Sequence, residues 1–229
     1  MKALKFITLA ITLFSAATQA NDSKFAETLT PDNAVLAMID HQTGLLVSVR
    51  DVNPIQLKNN ILGLTQVAKT LNLPSVVTAS MPQGPNGPVM PEIMANLPNA
   101  AVINRAGEIN AWKSPQFKAA IEKTGRKKII MAGVVTDVCL MFPAISAVAE
   151  GYDVYAVVDA SGTWDKVTQE AAMLRMTQAG VKVTTWASVL AELMDDWRAP
   201  QGMALGGVLA EHTPYNWVYS SYLSGQGAQ

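Results

Sequence analysis

Cys139 is the residue of this sequence best suited to covalent chemistry. It is the only cysteine among 229 residues. It follows the segment KKIIMAGVVTDV, which is typical of a buried strand, a turn and the start of a helix. Thr136 and Asp137 are candidate N-caps, which would place the sulfur in the first helical turn, where free N–H groups and the helix dipole stabilise a thiolate. The alternative is a cysteine that only fills space in the core.

Three further polar side chains follow predicted strands. Asp40 closes the first strand, Arg105 follows the third by two residues, and Asp159 closes the fifth. Because ligands of a parallel α/β sheet bind at the carboxyl ends of its strands, we expect these three residues and Cys139 to converge on one edge. Asp40 would be a general base toward the thiol and then an acid toward a leaving group. Arg105 would lower the pKa of the cysteine and hold a substrate carbonyl or carboxylate.

Structural alternatives exist for each of these residues. Asp40 could be an N-cap or half of an ion pair, and Arg105 could be a surface charge. Asp159 is interpreted as structural, with its carboxylate fixing the following loop through backbone N–H groups. Pro143 lies four residues beyond Cys139 and deprives the Cys139 carbonyl of its helical partner, so the helix should kink or rearrange just past the nucleophile.

Short apolar runs alternate with segments of helical period, which predicts a three-layer α/β/α sandwich with a mainly parallel sheet. Gly125, Gly151 and Gly180 stand where helices should end and strands begin. The predicted strands are 34–39, 75–78, 101–103, 128–132, 154–158 and 182–185. The predicted helices are 55–71, 116–124, 137–150, 167–179 and 187–196.

Two stretches depart from this alternation. Residues 81–91 contain four prolines and two glycines, which predicts an ordered loop. Residues 200–229 are weakly periodic and carry an aromatic run at Tyr215, Trp217, Tyr219 and Tyr222. This tail is either a disordered end or an arm that wraps a neighbouring subunit. The arm is favoured, because exposed aromatic side chains are costly in water.

The first twenty residues are typical of a bacterial signal peptide. Lys2 and Lys5 precede an apolar run, and small residues lead to a cleavage site after Ala20. The run is shorter than the roughly 20 apolar residues of a membrane anchor. We therefore expect export to the periplasm, and a mature protein that is not held in a membrane. A single catalytic domain would occupy residues 21–199, followed by the tail.

Composition excludes several classes of function. Cleavage would remove two lysines and no acidic residue, which changes the formal net charge from −1 to −3. The sequence has no cluster of basic residues of the kind that binds nucleic acid, so no such partner is expected. With His41 and His212 as the only histidines, there is little material for a zinc site, and no metal or cofactor is expected. A single thiol also excludes disulfide bonds within the chain.

Four sequence blocks resemble the YcaC-type branch of the isochorismatase-like cysteine hydrolases. They are AVLAMIDHQTGL, RAGEINAW, GVVTDVCLMFPAISAVAEGYDVYAVVDASGTW and MTQAGVKVTTW. They occur in the family's order, and the resemblance as a whole runs from about residue 33 to residue 198. The resemblance implies a Rossmann-like parallel sheet, a small-molecule substrate and a homo-oligomer. It also implies a catalytic triad of an acid, a basic residue and a cysteine.

Those roles fall on Asp40, Arg105 and Cys139. Most of the superfamily has lysine as the basic residue. Arg105 matches the YcaC-type branch and can act only as a fixed cation and donor, with Lys113 as a nearby substitute. The resemblance further implies a non-proline cis peptide within residues 134–136, most simply Val134–Val135, which would direct the Val135 and Cys139 N–H groups at an oxyanion. Candidates for lining the pocket are Gln42, Asn110 and Trp112.

Together these observations predict a cysteine-dependent hydrolase that acts on a small amide, carbamoyl or related carbonyl substrate through a thioester. Three alternatives remain open. One is hydrolysis without covalent catalysis, as in true isochorismatases, which act on a vinyl ether and need no thiol. Another is a periplasmic binding or scaffold protein that has lost turnover. A redox role for the thiol is weakened by the lack of a resolving cysteine.

Overall fold

A six-stranded, all-parallel sheet forms the centre of the protein, with helices on both sides. The structure is a computed structural model and describes residues 27–227. The strand order is β3-β2-β1-β4-β5-β6, which confirms the predicted three-layer architecture. The strands are β1 (Ala34–Ile39), β2 (Ser75–Ser80), β3 (Ala101–Arg105), β4 (Lys128–Gly133), β5 (Asp153–Val157) and β6 (Lys182–Thr184).

The strand order reverses between β1 and β4, and this is where the chemistry-bearing residues meet. The chain moves outward from β1 to β2 and β3, then returns to β4 on the other side of β1. The pairing of β1 with β4 ends at Ile39 and Gly133. Asp40 and the segment leading to Cys139 therefore leave neighbouring strands at the same edge, which is the usual ligand site of such a sheet.

The central strands form where continuous apolar runs are buried on both faces, whereas the edge strands β3 and β6 are partly exposed. Every residue of β1 and β4 is buried, including Lys128 at the first position of β4. Gly125, Gly151 and Gly180 have φ values of +68°, +86° and +86°, a region that favours glycine. This confirms their predicted place after helices that lead into strands.

Nine α-helices are found within residues 27–227, and four of the five predicted helices match the structure to within one or two residues. They are α1 (Thr43–Leu46), α2 (Pro54–Thr70), α3 (Pro91–Asn96), α4 (Pro115–Lys123), α5 (Met141–Ala149), α6 (Lys166–Gln178), α7 (Trp186–Met194), α8 (Gly202–His212) and α9 (Tyr215–Gln226). None of these helices is long and apolar enough to span a bilayer.

The helix predicted for residues 137–150 is two elements. A π-helical segment, Thr136–Leu140, comes first, and α5 follows it. The N-cap is Val135, so the prediction of Thr136 or Asp137 as N-cap is wrong. Pro143 supplies no N–H to the Cys139 carbonyl. The rearranged segment includes Cys139 itself rather than starting beyond it.

Residues 81–91 form an ordered loop, as predicted, that is fastened to the chain after β1. Thr43 and Gly44 donate backbone hydrogen bonds to the carbonyls of Pro88 and Asn86, at 2.9 and 2.8 Å. A Cβ on Gly44 would lie 2.2 Å from the Pro85 carbonyl oxygen, so only glycine allows this close approach. The short helix α3 that follows the loop was not predicted.

The tail from Pro200 is helical, which the weak periodicity did not predict. Helix α8 packs against α2 of the same chain. Asn59 in α2 donates to the His212 carbonyl at 2.8 Å, and its side-chain oxygen lies 2.9 Å from Nδ1 of His212. Helix α9, in contrast, has no buried residue. The predicted signal peptide lies outside the described residues.

Candidate active site

Asp40 and Arg105 form a buried ion pair at the carboxyl edge of the sheet. Asp40 follows β1 and Arg105 ends β3, and their side chains are 1% and 0% exposed. One guanidinium nitrogen, Nη2, donates to both carboxylate oxygens of Asp40. Nε donates to Thr78 Oγ1 at 3.1 Å, and Nη1 donates to the Glu108 carbonyl. The cation is therefore fixed in orientation and available as a donor, but not as a base.

Cys139 lies beside this pair. The residue is 8% exposed and belongs to the π-helical segment after β4. Burial raises the pKa of its thiol well above the usual 9.0, and the charge of Asp40 and a hydrogen bond to its carboxylate raise it further. The hydrogen bond with the backbone of Val135 and the charge of Arg105 act in the opposite direction with smaller effect. The resting side chain is thus a neutral thiol next to a carboxylate.

This state differs from the sequence-based expectation of a thiolate at a helix start. The Cys139 N–H donates to the Val135 carbonyl at 2.8 Å, so it is already paired within the helix. Desolvation disfavours the charged sulfur more than the neighbouring N–H groups stabilise it. The thiol can lose its proton only to a nearby acceptor, and Asp40 occupies that position.

A close approach of backbone to backbone holds the nucleophile segment on the end of β4. A Cβ on Gly133 would lie 2.9 Å from Leu140 N and 3.0 Å from the Cys139 carbonyl carbon. The peptide bond between Val134 and Val135 is cis, at the position that the family resemblance implies. Of the two predicted oxyanion donors, the Val135 N–H lies outside the helical hydrogen bonds. The Cys139 N–H, as noted, is engaged.

Gln42 is near the site, but its polar atoms hold a loop. Its amide nitrogen donates to the carbonyls of Ser80 and Gly87, and its oxygen accepts from Ser80 N–H at 3.0 Å. The side chain is fully buried. Its amide group thus holds the chain at Ser80 and Gly87, and its place in the lining of the substrate pocket stays a prediction.

Asn110 and Trp112 are placed farther from the nucleophile. Asn110 caps a single 3-10 turn and donates to Ser146 Oγ at 3.0 Å, toward the far end of α5. The Trp112 ring packs edge-on against Tyr152 at 5.3 Å, and Tyr152 precedes β5 at the opposite edge of the sheet. Trp112 thus packs among core side chains, and its place in the lining of the pocket stays a prediction.

Lys113 and Asp159 complete the predicted set. Lys113 is exposed, so Arg105 alone of the two is paired with Asp40. The carboxylate of Asp159 accepts from Trp186 N–H at 2.9 Å, and burial raises its pKa. Its structural interpretation holds, although the main bond reaches the start of α7 rather than the following loop.

His41 is a buried residue of the site that the sequence analysis considered only as a metal ligand. Its Nε2 lies 2.9 Å from the Ala160 carbonyl oxygen, and burial lowers its pKa from 6.5 to about 4. Since a carbonyl only accepts, Nε2 carries the hydrogen of a neutral ring. Its position next to Asp40 was the available signal. Within residues 27–227, no three His, Cys, Asp or Glu side chains are grouped so as to hold a metal ion.

Comparison with known proteins places this site in a family. The sequence profile of the Isochorismatase domain matches residues 33–188. The chain belongs to the isochorismatase family. It is 45% identical over 196 residues to "Probable hydrolase YcaC" of Escherichia coli (strain K12), a match that covers 85% of this chain and 93% of that protein.

Two solved YcaC structures share the fold. One is YcaC from Pseudomonas aeruginosa with hexane-2,5-diol and covalent acrylamide, at a TM-score of 0.82 and 44% identity, covering 88% of this chain and 98% of that one. The other is the YcaC gene product of Escherichia coli, described as an octameric hydrolase of unknown specificity. Its TM-score is 0.83 at 45% identity, and it covers 86% of this chain and 97% of that one. The protein is therefore a YcaC-like member of this hydrolase family.

Proposed function

We propose that this protein is a cysteine-dependent hydrolase of small amide, carbamoyl or related carbonyl compounds, and that Cys139 forms a thioester with the substrate. One observation carries the proposal. The only thiol of the chain contacts a buried carboxylate, Asp40, whose second neighbour is the fixed cation Arg105. A nucleophile, a base and an orienting cation from three distant parts of the chain thus share one site.

The first half of the reaction forms the thioester. The Cys139 proton moves to Asp40 while the sulfur attacks the carbonyl carbon of the substrate, and the carbonyl electron pair moves onto oxygen. The Val135 N–H is the donor proposed for this oxyanion. When the intermediate collapses, the bond to the leaving nitrogen breaks and Asp40 returns its proton to that nitrogen. The acyl group stays on Cys139.

The second half consumes water. Asp40, again a carboxylate, takes a proton from a water molecule that attacks the thioester carbonyl. Collapse of this second intermediate breaks the carbon–sulfur bond, and the proton held by Asp40 returns to the sulfur. The products are a carboxylic acid and a restored thiol. Arg105 keeps Asp40 oriented in both halves and can donate to a substrate carbonyl or carboxylate.

A thiol that is neutral at rest suits this cycle. Ionisation is coupled to attack, so charge develops only when a substrate carbonyl is present to accept it. The relative solved with covalent acrylamide supports the choice of small neutral amides as the class to test. Acrylamide carries an amide group and adds to thiols through its double bond.

The experiment is a hydrolysis screen with a panel of small amides, carbamoyl compounds and esters. We expect turnover by the wild-type chain and none by Cys139→Ala, with nearly unchanged thermal unfolding because the replaced side chain is small. Iodoacetamide should inactivate the enzyme and add one label, at Cys139. Activity retained by Cys139→Ala would refute the covalent mechanism and favour non-covalent hydrolysis.

We further propose that the mature protein begins at Asn21, is periplasmic and forms a homo-oligomer. The octameric state of the Escherichia coli relative supports the last point. Cell fractionation followed by intact-mass measurement tests the first two. A cytoplasmic product that retains Met1 or Lys2 would contradict them.

A further inference from the structure

The loop formed by residues 160–163, after β5, contacts the segment that carries Asp40. The His41 ring is 1% exposed and donates from Nε2 to the Ala160 carbonyl at 2.9 Å. Asp40 itself has a φ of 55°, a left-handed conformation that non-glycine residues hold only when their surroundings enforce it. The bond made by His41 is one of these surroundings.

The same loop contacts the segment that leads to Cys139. Its other three residues each make a hydrogen bond with residues 133–137. These bonds run from Gly133 N–H to Ser161 Oγ at 3.0 Å, from Thr136 N–H to the Gly162 carbonyl at 3.0 Å, and from Thr163 Oγ1 to Asp137 Oδ1 at 2.6 Å. Ser161 and Thr163 are fully buried. Three of the four loop residues are therefore bound to the segment that leads to Cys139.

A third set of bonds anchors the loop from outside. The Thr163 N–H donates to Asp51 Oδ1 at 2.8 Å, and the Thr163 carbonyl accepts from Arg50 N–H at 2.8 Å. Asp51 is itself buried. Because buried polar groups are costly to leave unpaired, the loop has little freedom to shift against either segment.

Strand pairing alone does not fix the spacing of the two reactive groups. The register of β1 and β4 ends at Ile39 and Gly133, and both Asp40 and Cys139 lie beyond it. We infer that loop 160–163 sets the separation of the Asp40 carboxylate and the Cys139 sulfur, and that His41 and Thr163 are its positioning residues, one for each half. This inference rests on the proposed function, in which Asp40 takes the thiol proton.

A double-mutant cycle on thiol alkylation tests the inference without a known substrate. His41→Leu removes the bond to Ala160, and Thr163→Val removes the bond to Asp137. The readout is the second-order rate of Cys139 alkylation by iodoacetamide at neutral pH. We expect each variant to slow it about tenfold, and the double variant also about tenfold rather than about a hundredfold, because one broken bridge already uncouples the two segments.

Conservative variants separate positioning from mere packing. His41→Gln keeps an N–H donor and Thr163→Ser keeps the hydroxyl, so both should restore most of the alkylation rate. Thr124→Val is the control, since its hydroxyl bonds the Ile121 carbonyl at the end of α4; it should leave the rate unchanged alone and add nothing to Thr163→Val. If His41→Leu fails to fold by circular dichroism, His41→Phe takes its place, because it also removes the donor to Ala160 and keeps an aromatic ring.

The outcomes distinguish this inference from the proposed function. Independent, multiplying effects of the two loop variants would overturn the positioning role, provided that Asp40→Asn still slows alkylation. If Asp40→Asn leaves the rate unchanged, Asp40 does not assist the thiol and the proposed function itself fails. Coupled effects of the loop variants, with a slow Asp40→Asn protein, support both.

Discussion

The guanidinium of Arg105 contacts both carboxylate oxygens of Asp40 through a single nitrogen, and its other two nitrogens are bound to Thr78 and the Glu108 carbonyl. No side chain with fewer donors can replace this arrangement. The pair therefore joins stability and chemistry in one contact, because a change that loosens the cation also leaves a buried carboxylate without its partner.

Arg105→Ala should destabilise the fold by about 3–5 kcal/mol, since it leaves Asp40 buried and unpaired. Arg105→Lys should cost less but reduce turnover strongly, because one ammonium group cannot make the same set of bonds. Urea unfolding measures the stability change. The matched control is Arg198→Ala: Arg198 pairs with Asp196 but is 90% exposed, so its loss should change stability by less than about 1 kcal/mol. Equal effects of the two alanine variants would contradict the prediction.

The Cys139 thiol should titrate above its usual range. Burial and the charge of Asp40 raise its pKa, so thiolate absorbance near 240 nm should develop only in strongly alkaline solution. Asp40→Asn removes the charge and should lower this pKa, even though it slows alkylation at neutral pH, where the thiol stays protonated and needs a base. Cys139→Ala supplies the blank. A wild-type thiol that ionises below pH 9 would refute this electrostatic account.

Gly133→Ala should displace the nucleophile segment. Its Cβ would meet Leu140 N at 2.9 Å and the Cys139 carbonyl oxygen at 3.1 Å, and backbone atoms cannot rotate away. We expect a loss of about 1–3 kcal/mol in unfolding free energy and slower alkylation of Cys139. Gly207→Ala is the control, because nothing lies within 4 Å of the added Cβ; there the change should be neutral or stabilising by up to about 1 kcal/mol. A Gly133→Ala protein as stable and reactive as the control would contradict the close approach.

Acid should destabilise the protein through His41. Burial lowers its pKa from 6.5 to about 4, so between these values the unfolded chain binds a proton that the folded chain does not. Stability is therefore full above pH 6.5 and is lost as the pH falls toward about 4, by up to ~3 kcal/mol. Urea midpoints across this range measure the effect.

His41→Gln isolates this contribution. His212 also has a pKa lowered by burial and is present in both proteins, so only the difference between the two pH profiles belongs to His41. We expect a shallower acid dependence in the variant. Identical profiles would show that His41 does not titrate in this way.

Deletion of residues 214–229 should reduce the number of subunits in the oligomer and leave each subunit folded. Helix α9 has no charged residue and no buried one, and Trp217 is 76% exposed. A 12-residue helix of this kind is marginal in water, so we expect a neighbouring subunit to cover it. Light scattering gives the mass of the oligomer, which divided by the mass of the truncated chain gives the number of subunits, and circular dichroism checks the fold. An unchanged number of subunits would show that the tail is not an oligomerisation arm. Deletion from Pro200 is a poorer test, because it also strips α8 from α2.

The positions of the reactive residues followed from the sequence because they depend on strand ends. Asp40, Arg105 and Cys139 each lie at or past the end of a strand, and parallel strands bring such positions together whatever the loops do. The glycines that end helices could also be predicted, because the positive φ that they adopt is a local requirement.

The environment of the same residues did not follow. The pKa of Cys139 depends on burial and on Asp40, which is 99 positions away in the chain, so a local rule about helix starts gave the wrong direction. The hydrogen bonds of Gln42 to Ser80 and Gly87 and the packing of Trp112 against Tyr152 also depend on residues distant in the chain, so the sequence did not predict them. The π-helical segment Thr136–Leu140 is revealed by no periodicity in the sequence.

The protonated state of Cys139 also affects how readily its thiol is oxidised. Peroxides react mainly with the thiolate form of cysteine, and oxidation beyond the sulfenic acid cannot be reversed by simple thiols. In the proposed mechanism the sulfur is charged only during a catalytic event, so almost no thiolate is present between events. The burial that raises the pKa of Cys139 should therefore also protect this thiol from peroxide, in a chain that has no second cysteine to form a disulfide with it.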